Sequence, residues 1–205
     1  MSHGISTFKN LPDSGIISEL ISYIEGKLPS FTSSEEFTFN ITNTSNEDRI
    51  TEQVCNFLIN QRSKFSFVSQ TSQGARHKVD IGAYLGANLI FTLEAKILPT
   101  PKSKERKEYE YVYGQGGGIE RFKNENHGIN IRGELLPING MIGYIKKDSF
   151  DHWLNRVNQW ISDTSWGSEE HLRKIDFSKI AYLDSNHKRK NGSYLRLHHF
   201  WIQIK

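Results

Sequence analysis

The chain has 205 residues, of which 36% are hydrophobic and 12% aromatic, and it carries a formal net charge of +3. This composition excludes an intrinsically disordered chain, and the length suits one sizeable core better than two full domains. The small excess of positive charge permits a polyanionic partner such as nucleic acid without requiring one.

Cysteine content and hydropathy exclude several further classes. The single cysteine, Cys55, rules out an internal disulfide and a cysteine-based zinc site, and its apolar neighbours predict a buried core residue. No apolar run approaches the ~20 residues that a membrane span requires. The N-terminus also lacks a basic start followed by an apolar stretch. We therefore expect a cytoplasmic protein without a membrane partner.

The first 62 residues predict two helices and a short strand. Residues 1–13 resemble a loose tail, and Ser14 is a candidate cap for a helix over Gly15–Lys27. Aromatic and aliphatic residues alternate with polar ones over residues 37–41, which favours a strand. A helical stripe of apolar residues then begins after Asn46.

The following segments predict a mixed α/β domain. Three strands are expected at residues 65–70, 77–86 and 88–98, and the tight turn between the last two makes them an antiparallel hairpin. A charged loop around two prolines then leads towards a helix near the glycine cluster at 114–118. A strand (141–146), an amphipathic helix (150–161) and two further strands (179–185 and 194–204) complete the order.

Several residues near the C-terminus have an expected environment. We expect four aromatic residues to lie in the core: Trp153, Trp160, Phe200 and Trp201. Strand alternation sends one of His198 and His199 inward and the other outward. The basic run over residues 184–190 is either a solvated hairpin tip or a contact to a nucleic-acid backbone.

The predicted hairpin carries charged residues where a core is expected. Asp80 and Glu94 are separated by thirteen residues that span one turn, so the hairpin can bring them side by side. Glu94 and Lys96 are two apart on one strand and share a face. Two converging carboxylates repel each other unless a cation neutralises them, and Mg²⁺ prefers such oxygen ligands with water completing its shell. The carbonyl of Ala95 could supply a further ligand, and Lys96 could orient or help deprotonate an attacking water.

The alternative for this trio is a structural salt bridge between Lys96 and either acid. One lysine cannot balance two neighbouring carboxylates, and a buried charged trio is often no better for stability than apolar packing. We therefore favour a metal site over the salt bridge.

The pattern Asp80, then Glu94-Ala95-Lys96, with a strand on each side of the turn, resembles the PD-(D/E)XK nuclease superfamily over residues 46–146. Val79 stands where a proline is frequent, a position that varies within the superfamily. The resemblance implies a restriction-endonuclease-like αβββαβ core with a mixed central sheet flanked by helices. That core would lie in residues 46–205, preceded by residues 1–45 with the tail, helix and short strand, in one compact domain. It also implies an Mg²⁺- or Mn²⁺-dependent nuclease that hydrolyses phosphodiester bonds, with DNA as the expected substrate.

In such enzymes a glutamate from the preceding helix often joins the metal site. Glu47 and Glu52 are the candidates. Glu47 shares the core-facing stripe of its predicted helix, whereas Glu52 falls off it, so we choose Glu47. The alternative is that Glu47 only stabilises the helix N-terminus through the helix dipole.

The glycine-rich segment 114–128 supplies candidate substrate contacts. Backbone N–H groups at a glycine cluster before a helix can bind phosphate, and basic side chains follow closely. The candidates are Gly117, Gly118, Arg121, Lys123 and His127. The segment is also similar, more loosely, to a GGIxRF-type stretch in uncharacterised bacterial proteins suspected of acting in antiviral defence. The alternative is a flexible loop and a helix that packs on the sheet.

Two further readings of the function stay open at the level of sequence. A catalytically silent module with the same fold could bind nucleic acid or a partner protein without cutting. A nuclease of this size, without a separate targeting domain, could also depend on a partner protein for targeting or activation, or act as a homo-oligomer.

Overall fold

The computed structural model describes residues 15–41, 46–73, 77–101 and 106–204. The predicted tail over 1–13 and the predicted cap at Ser14 lie outside the described residues. None of the helices among the described residues is both long and apolar enough to span a bilayer.

Five helices and seven strands follow one another along the described chain. The helices are α1 (Gly15–Thr32), α2 (Glu35–Ile41), α3 (Glu47–Asn60), α4 (Gly118–Lys123) and α5 (Phe150–Ser162). The strands are β1 (Phe65–Gln73), β2 (His77–Leu85), β3 (Asn88–Leu98), β4 (Ile138–Ile145), β5 (Arg173–Phe177), β6 (Ile180–Lys188) and β7 (Tyr194–Gln203). Short 3₁₀ turns occur at Glu108–Tyr111 and Ser168–Glu170.

The strands form one mixed sheet of seven strands in the order β1-β2-β3-β4-β7-β6-β5. Neighbours β1, β2 and β3 are antiparallel, which confirms the predicted hairpin. Strands β3, β4 and β7 are parallel to one another, and β7, β6 and β5 are antiparallel. The prediction of an α/β fold with a mixed sheet flanked by helices is confirmed at this level.

Helices cover both faces of the sheet, so there are two apolar cores. The first core joins α1, α2 and α3 to one face and includes Leu20, Ile24, Phe37, Cys55, Leu58, Phe91 and Phe200. The second joins α4 and α5 to the opposite face and includes Phe122, Trp153, Trp160, Leu197 and Trp201. The predicted burial of Cys55 and of the four C-terminal aromatic residues is confirmed.

Because both faces are covered, the two adjacent histidines of β7 are both buried. His198 Nδ1 lies 2.8 Å from the hydroxyl of Tyr182 on the first face. His199 Nδ1 lies 2.8 Å from the hydroxyl of Tyr111 on the second face. They do point to opposite faces, as alternation predicts, but the expectation that one faces outward is wrong.

The predicted strand over residues 37–41 is wrong, since these residues belong to the helix α2. Phe37 and Ile41 are both buried and four residues apart, a spacing that satisfies a helix as well as an alternating strand. The preceding helix is also longer than predicted. It ends at Thr32 because Leu28 and Phe31 continue its buried stripe.

The predicted solvated tip over residues 184–190 is wrong for most of its length. Residues 184–187 lie in β6 and are buried. Asp184 is neutralised by Arg173, whose Nη2 lies 2.7 Å from Oδ2, and by Arg196 at 3.1 Å. Arg173 begins β5, a strand that the sequence did not predict because four of its five residues are exposed and show no alternation.

Candidate functional site

The candidate site lies where β2 and β3 separate. The last paired residues at this end are Ile81 and Leu93, and their neighbours Asp80 and Glu94 lie just past the end of the pairing. Beyond that point the Oδ2 atom of Asp80 accepts a hydrogen bond of 2.7 Å from the N–H of Ala95. Unpaired backbone groups need partners, so this carboxylate takes the place of the departing strand.

Glu47 fills the next position along β3. Its Oε2 atom accepts a hydrogen bond of 2.7 Å from the N–H of Ile97. Glu47 is the first residue of α3, whose N-cap Asn46 accepts from the N–H of Arg49. The helix start therefore aims Glu47 at the sheet, whereas Glu52 is exposed on the same helix. Glu47 thus both occupies the helix N-terminus and reaches the cluster around β3.

Glu94 lies at the centre of a group of basic side chains. Its Oε1 atom accepts hydrogen bonds of 2.8 Å from Lys96 Nζ and of 2.8 Å from Arg121 Nη1. His127 Nε2 lies 3.2 Å from its Oε2 atom. Burial by itself would raise the pKa of Glu94, but Lys96, His127 and Arg121 together hold it well below the usual range.

Asp80 has the opposite electrostatic environment. Burial and the charge of Glu94 raise the pKa of Asp80 to about 7. No Lys, Arg or His among the described residues forms an ion pair with its carboxylate. Its second oxygen lies 3.4 Å from Gln70 Nε2. Glu94 thus accepts hydrogen bonds from two cations, whereas Asp80 forms no ion pair and is influenced by Lys96 only through its charge.

Lys96 is held between the acids from both strands and the helix. Its side chain is 7% exposed, and its Nζ lies 2.8 Å from Glu94 and 3.7 Å from Glu47. Burial alone would lower the pKa of Lys96, but Glu94, Glu47 and Asp80 raise it above the usual value. Lys96 is therefore a fixed ammonium in the metal-free protein.

An open cleft of about 450 Å³ connects these groups to the surface. It is lined by Glu47, Asp48, Asp80, Glu94, Lys96, Arg106, Glu110, Gln115, Gly116 and Arg121. A cleft of about 560 Å³ shares Asp48 and Asp80 with it, and one of about 310 Å³ shares Gln115 and Arg121. The three clefts thus adjoin, with the candidate site in the middle one.

Two cleft residues had no signal in the sequence. Arg106 Nε donates 2.8 Å to Glu110 Oε2, and Arg106 Nη2 lies 3.3 Å from Glu47 Oε2. Both come from the charged loop and 3₁₀ turn after β3, where charged residues are common and no spacing marks these two. Their charges add an ion pair next to Glu47.

The candidate substrate residues from the glycine-rich segment separate into two groups. Arg121 and His127 contact Glu94, as described above. Lys123 instead forms an ion pair with Glu170 and places its Nζ 4.1 Å from the ring centre of Trp166. Residues two positions apart in a helix are rotated by roughly 200° about its axis, so the side chains of Arg121 and Lys123 point in different directions. The prediction that Lys123 lies with the other two is wrong.

The two glycines at the start of α4 have a packing reason. A Cβ on Gly117 would lie 2.5 Å from the backbone of Tyr113, and one on Gly118 would meet the Met141 side chain. The N–H of Gly117 already donates 2.9 Å to the carbonyl of Gly114. Close packing therefore accounts for both glycines, and the Gly117 N–H already has a backbone acceptor.

The donor atoms fit a divalent cation with few protein ligands. In the described part of the chain, no three His, Cys, Asp or Glu side chains converge as a metal-binding group. Mg²⁺ needs fewer, because it is commonly held by one or two carboxylates and keeps several waters. Glu94 Oε2 is buried with His127 Nε2 3.2 Å away, and the Asp80 carboxylate forms no ion pair with a described residue. The Ala95 carbonyl faces the same gap as its N–H, since both groups of a strand residue point to one side.

Comparisons of the chain with known protein families, with curated proteins and with solved structures found no match.

Proposed function

We propose that the protein is a metal-dependent nuclease that hydrolyses phosphodiester bonds in DNA. The observation that carries this proposal is the separation of β2 and β3 at Asp80 and Glu94. A carboxyl group with a raised pKa, one with a lowered pKa and a fixed lysine meet there in an open cleft. The order α3-β1-β2-β3-α4-β4 also agrees with the αβββαβ core that the resemblance to PD-(D/E)XK nucleases implies.

Asp80, Glu94 and the Ala95 carbonyl would hold Mg²⁺ or Mn²⁺. When bound, the ion would lower the pKa of a coordinated water and offset the charge of the phosphate. Glu47 would keep β3 in place through the N–H of Ile97 and would anchor Lys96 from the second side.

Lys96 would act through its charge and its hydrogen bonds. Because neighbouring carboxylates raise its pKa, the ammonium keeps its proton and is unsuited to be the base. It would instead orient the attacking water or stabilise negative charge on the phosphate, at a position fixed before the substrate binds.

A cleavage assay tests the proposal. Plasmid, linear duplex, single-stranded DNA and RNA would be incubated with the protein and Mg²⁺ or Mn²⁺, with a chelator as the blank. We expect Asp80→Asn, Glu94→Gln and Lys96→Gln each to lower metal-dependent cleavage by at least about 100-fold. Asp151→Asn, an exposed carboxylate in α5, is the matched control and should cleave like the wild type.

Conservative replacements are needed because Glu94 is buried. Truncation to alanine would leave the Lys96 ammonium without its 2.8 Å partner, a change that costs about 3–5 kcal/mol in buried ion pairs. Lost activity in that variant could then reflect unfolding. Wild-type cleavage by Glu94→Gln, with the melting temperature unchanged, would refute the assignment.

A second candidate is a silent module that binds nucleic acid or a partner protein without cutting. The neutralisation of Glu94 by Lys96 and Arg121 favours it, because these ion pairs stabilise the fold without a metal. Calorimetric titration with Mn²⁺ separates the two. Heat of binding that Asp80→Asn removes supports the nuclease, and the absence of binding supports the silent module.

A further inference from the structure

Arg121 and Lys96 share one oxygen of Glu94, but they are held very differently. Both place a nitrogen 2.8 Å from Oε1. The Lys96 side chain is 7% exposed and is also drawn to Glu47, whereas the Arg121 side chain is 36% exposed. Of the two cations on Glu94, Arg121 is therefore the one that can leave without being pulled out of the core.

Arg121 also stands between two clefts. It lines the central cleft with Asp80 and Glu94, and it lines the adjoining cleft of about 310 Å³. That second cleft includes His77, Lys78 and the amides of Asn124 and Asn126. Its lining includes one carboxylate, Glu120, which accepts a hydrogen bond of 2.9 Å from the N–H of Gly114, and otherwise holds donors suited to a backbone phosphate. A guanidinium can bind two phosphate oxygens at once.

A divalent cation on Glu94 would be repelled by the guanidinium that now occupies Oε1. Two like charges a few ångströms apart in a partly buried site repel each other strongly, because the protein screens them less than bulk water does. The metal and the Arg121 ion pair therefore compete for the same carboxylate. Such competition is reciprocal: a stronger ion pair lowers the affinity for the metal, and bound metal weakens the ion pair.

We infer that Arg121 is a positioning residue whose guanidinium, in the metal-free protein, neutralises Glu94 where the divalent cation would bind. When the metal binds, Arg121 moves to the adjoining cleft, where it binds a backbone phosphate next to the scissile one together with His77 and Lys78. This inference rests on the proposed metal-dependent function. It links metal occupancy to substrate binding, because the phosphate ligand is released only when the ion is in place.

Calorimetric titration with Mn²⁺ in the absence of nucleic acid tests the competition. We expect Arg121→Gln to bind Mn²⁺ about tenfold more tightly than the wild type, because it removes the competing cation. Arg49→Gln removes an exposed arginine that lines the neighbouring cleft beside Asp80 without an ion pair to Glu94. It should tighten Mn²⁺ binding by no more than about twofold, which measures the general effect of one lost charge.

Arg121→Lys keeps the charge and should bind Mn²⁺ like the wild type. It controls for effects of substituting this position that are unrelated to charge, including a folding defect. A second readout is the binding of a short DNA duplex in Ca²⁺. There Arg121→Gln should bind more weakly than the wild type and lower the slope of affinity against salt by about one.

The outcomes separate this inference from the proposed function. Mn²⁺ binding that is equal or weaker in Arg121→Gln, or equally tightened by Arg121→Lys, would overturn the competition while leaving the metal site standing. No Mn²⁺ binding by the wild type and by Arg121→Gln would overturn both. Tighter binding in Arg121→Gln alone, abolished by adding Asp80→Asn, supports both.

Discussion

Asp80 and Glu94 are carboxylates on neighbouring strands, yet their surroundings move their pKa values in opposite directions. Glu94 accepts from two basic side chains, so its ionised form is strongly favoured. Asp80 accepts only from neutral N–H groups, and the pKa of its carboxyl rises to about 7. Paired acids with separated pKa values are typical of catalytic sites, although structural ion clusters also produce them.

The raised pKa of Asp80 gives the metal-free protein a defined pH dependence. The folded pKa of about 7 lies above the value of about 3.9 for an unfolded aspartate, so the folded state binds the additional proton. The contribution of Asp80 to the free energy of unfolding is thus present below about pH 4 and is lost as the pH rises through 7.

Replacing Asp80 by asparagine should therefore stabilise the metal-free protein at pH 8. We expect a rise in Tm of about 2–4 °C for each kcal/mol gained, with no gain at pH 4. Thermal melts of both proteins in chelator between pH 4 and 8 measure this. A lower Tm for Asp80→Asn at pH 8 would show that the hydrogen bond to the N–H of Ala95 outweighs the buried charge.

The same pKa predicts how metal affinity varies with pH. A proton and a divalent cation compete for Asp80, so Mn²⁺ affinity should rise by up to about tenfold per pH unit below 7 and level off above it. Titrations at pH 5.5, 6.5, 7.5 and 8.5 test the curve. An affinity that stays constant between pH 5.5 and 7.5 would exclude Asp80 as a ligand with this pKa.

At the scale of secondary-structure elements, a buried chain of hydrogen bonds ties β6 and β7 to two 3₁₀ turns. Glu170 Oε2 lies 2.7 Å from His187 Nδ1, and Ser185 Oγ lies 2.7 Å from His187 Nε2 and 2.7 Å from His199 Nε2. His199 Nδ1 in turn faces the hydroxyl of Tyr111 at 2.8 Å. One set of donors satisfies every link if both imidazoles are neutral.

Burial agrees with that protonation state. It lowers the pKa of His187 and lowers that of His199 well below its usual value. The Glu170 carboxylate also pairs with Lys123, which explains why this lysine of α4 turns away from the candidate site. The ion pair between Lys123 and Glu170 therefore links α4 to the 3₁₀ turn at Ser168–Glu170.

Ser185→Ala should destabilise the fold without changing the site. The substitution leaves a nitrogen on each of two buried histidines without its partner, a loss of about 1–3 kcal/mol. Ser162→Ala removes an exposed hydroxyl that also contacts a histidine and should cost less than about 0.5 kcal/mol. Urea unfolding measures both variants. Equal stability of the two, or a tenfold change in Mn²⁺ affinity for Ser185→Ala, would contradict this structural role.

Elements with a long periodic pattern could be predicted from the sequence, and those without one could not. The sequence predicts the helix after Asn46 from its stripe of apolar residues, and that stripe is buried in the structure. The strand β5 escaped prediction because its residues are mostly exposed and it is held through Arg173 to Asp184. Over residues 37–41 the sequence is too short to separate a period of two from one of 3.6.

At the scale of the whole molecule, the part of the candidate site built by local pairing could be predicted. Asp80, Glu94 and Lys96 belong to one hairpin, so their proximity follows from the register of two neighbouring strands. Arg106 and Arg121 reach the cleft through the tertiary packing of the loop and of the helix α4 after β3, about which local spacing says nothing. This is why the sequence predicted the trio of the hairpin but not the ion pair between Arg121 and Glu94.

The most direct test of the central claim is anomalous diffraction from crystals of the wild-type protein soaked in Mn²⁺. The claim is that the gap between β2 and β3 holds a divalent cation through Asp80 and Glu94. It predicts an anomalous peak within about 2.5 Å of a carboxylate oxygen of each residue. The absence of a peak in that gap, at Mn²⁺ concentrations that saturate binding in solution, would contradict it.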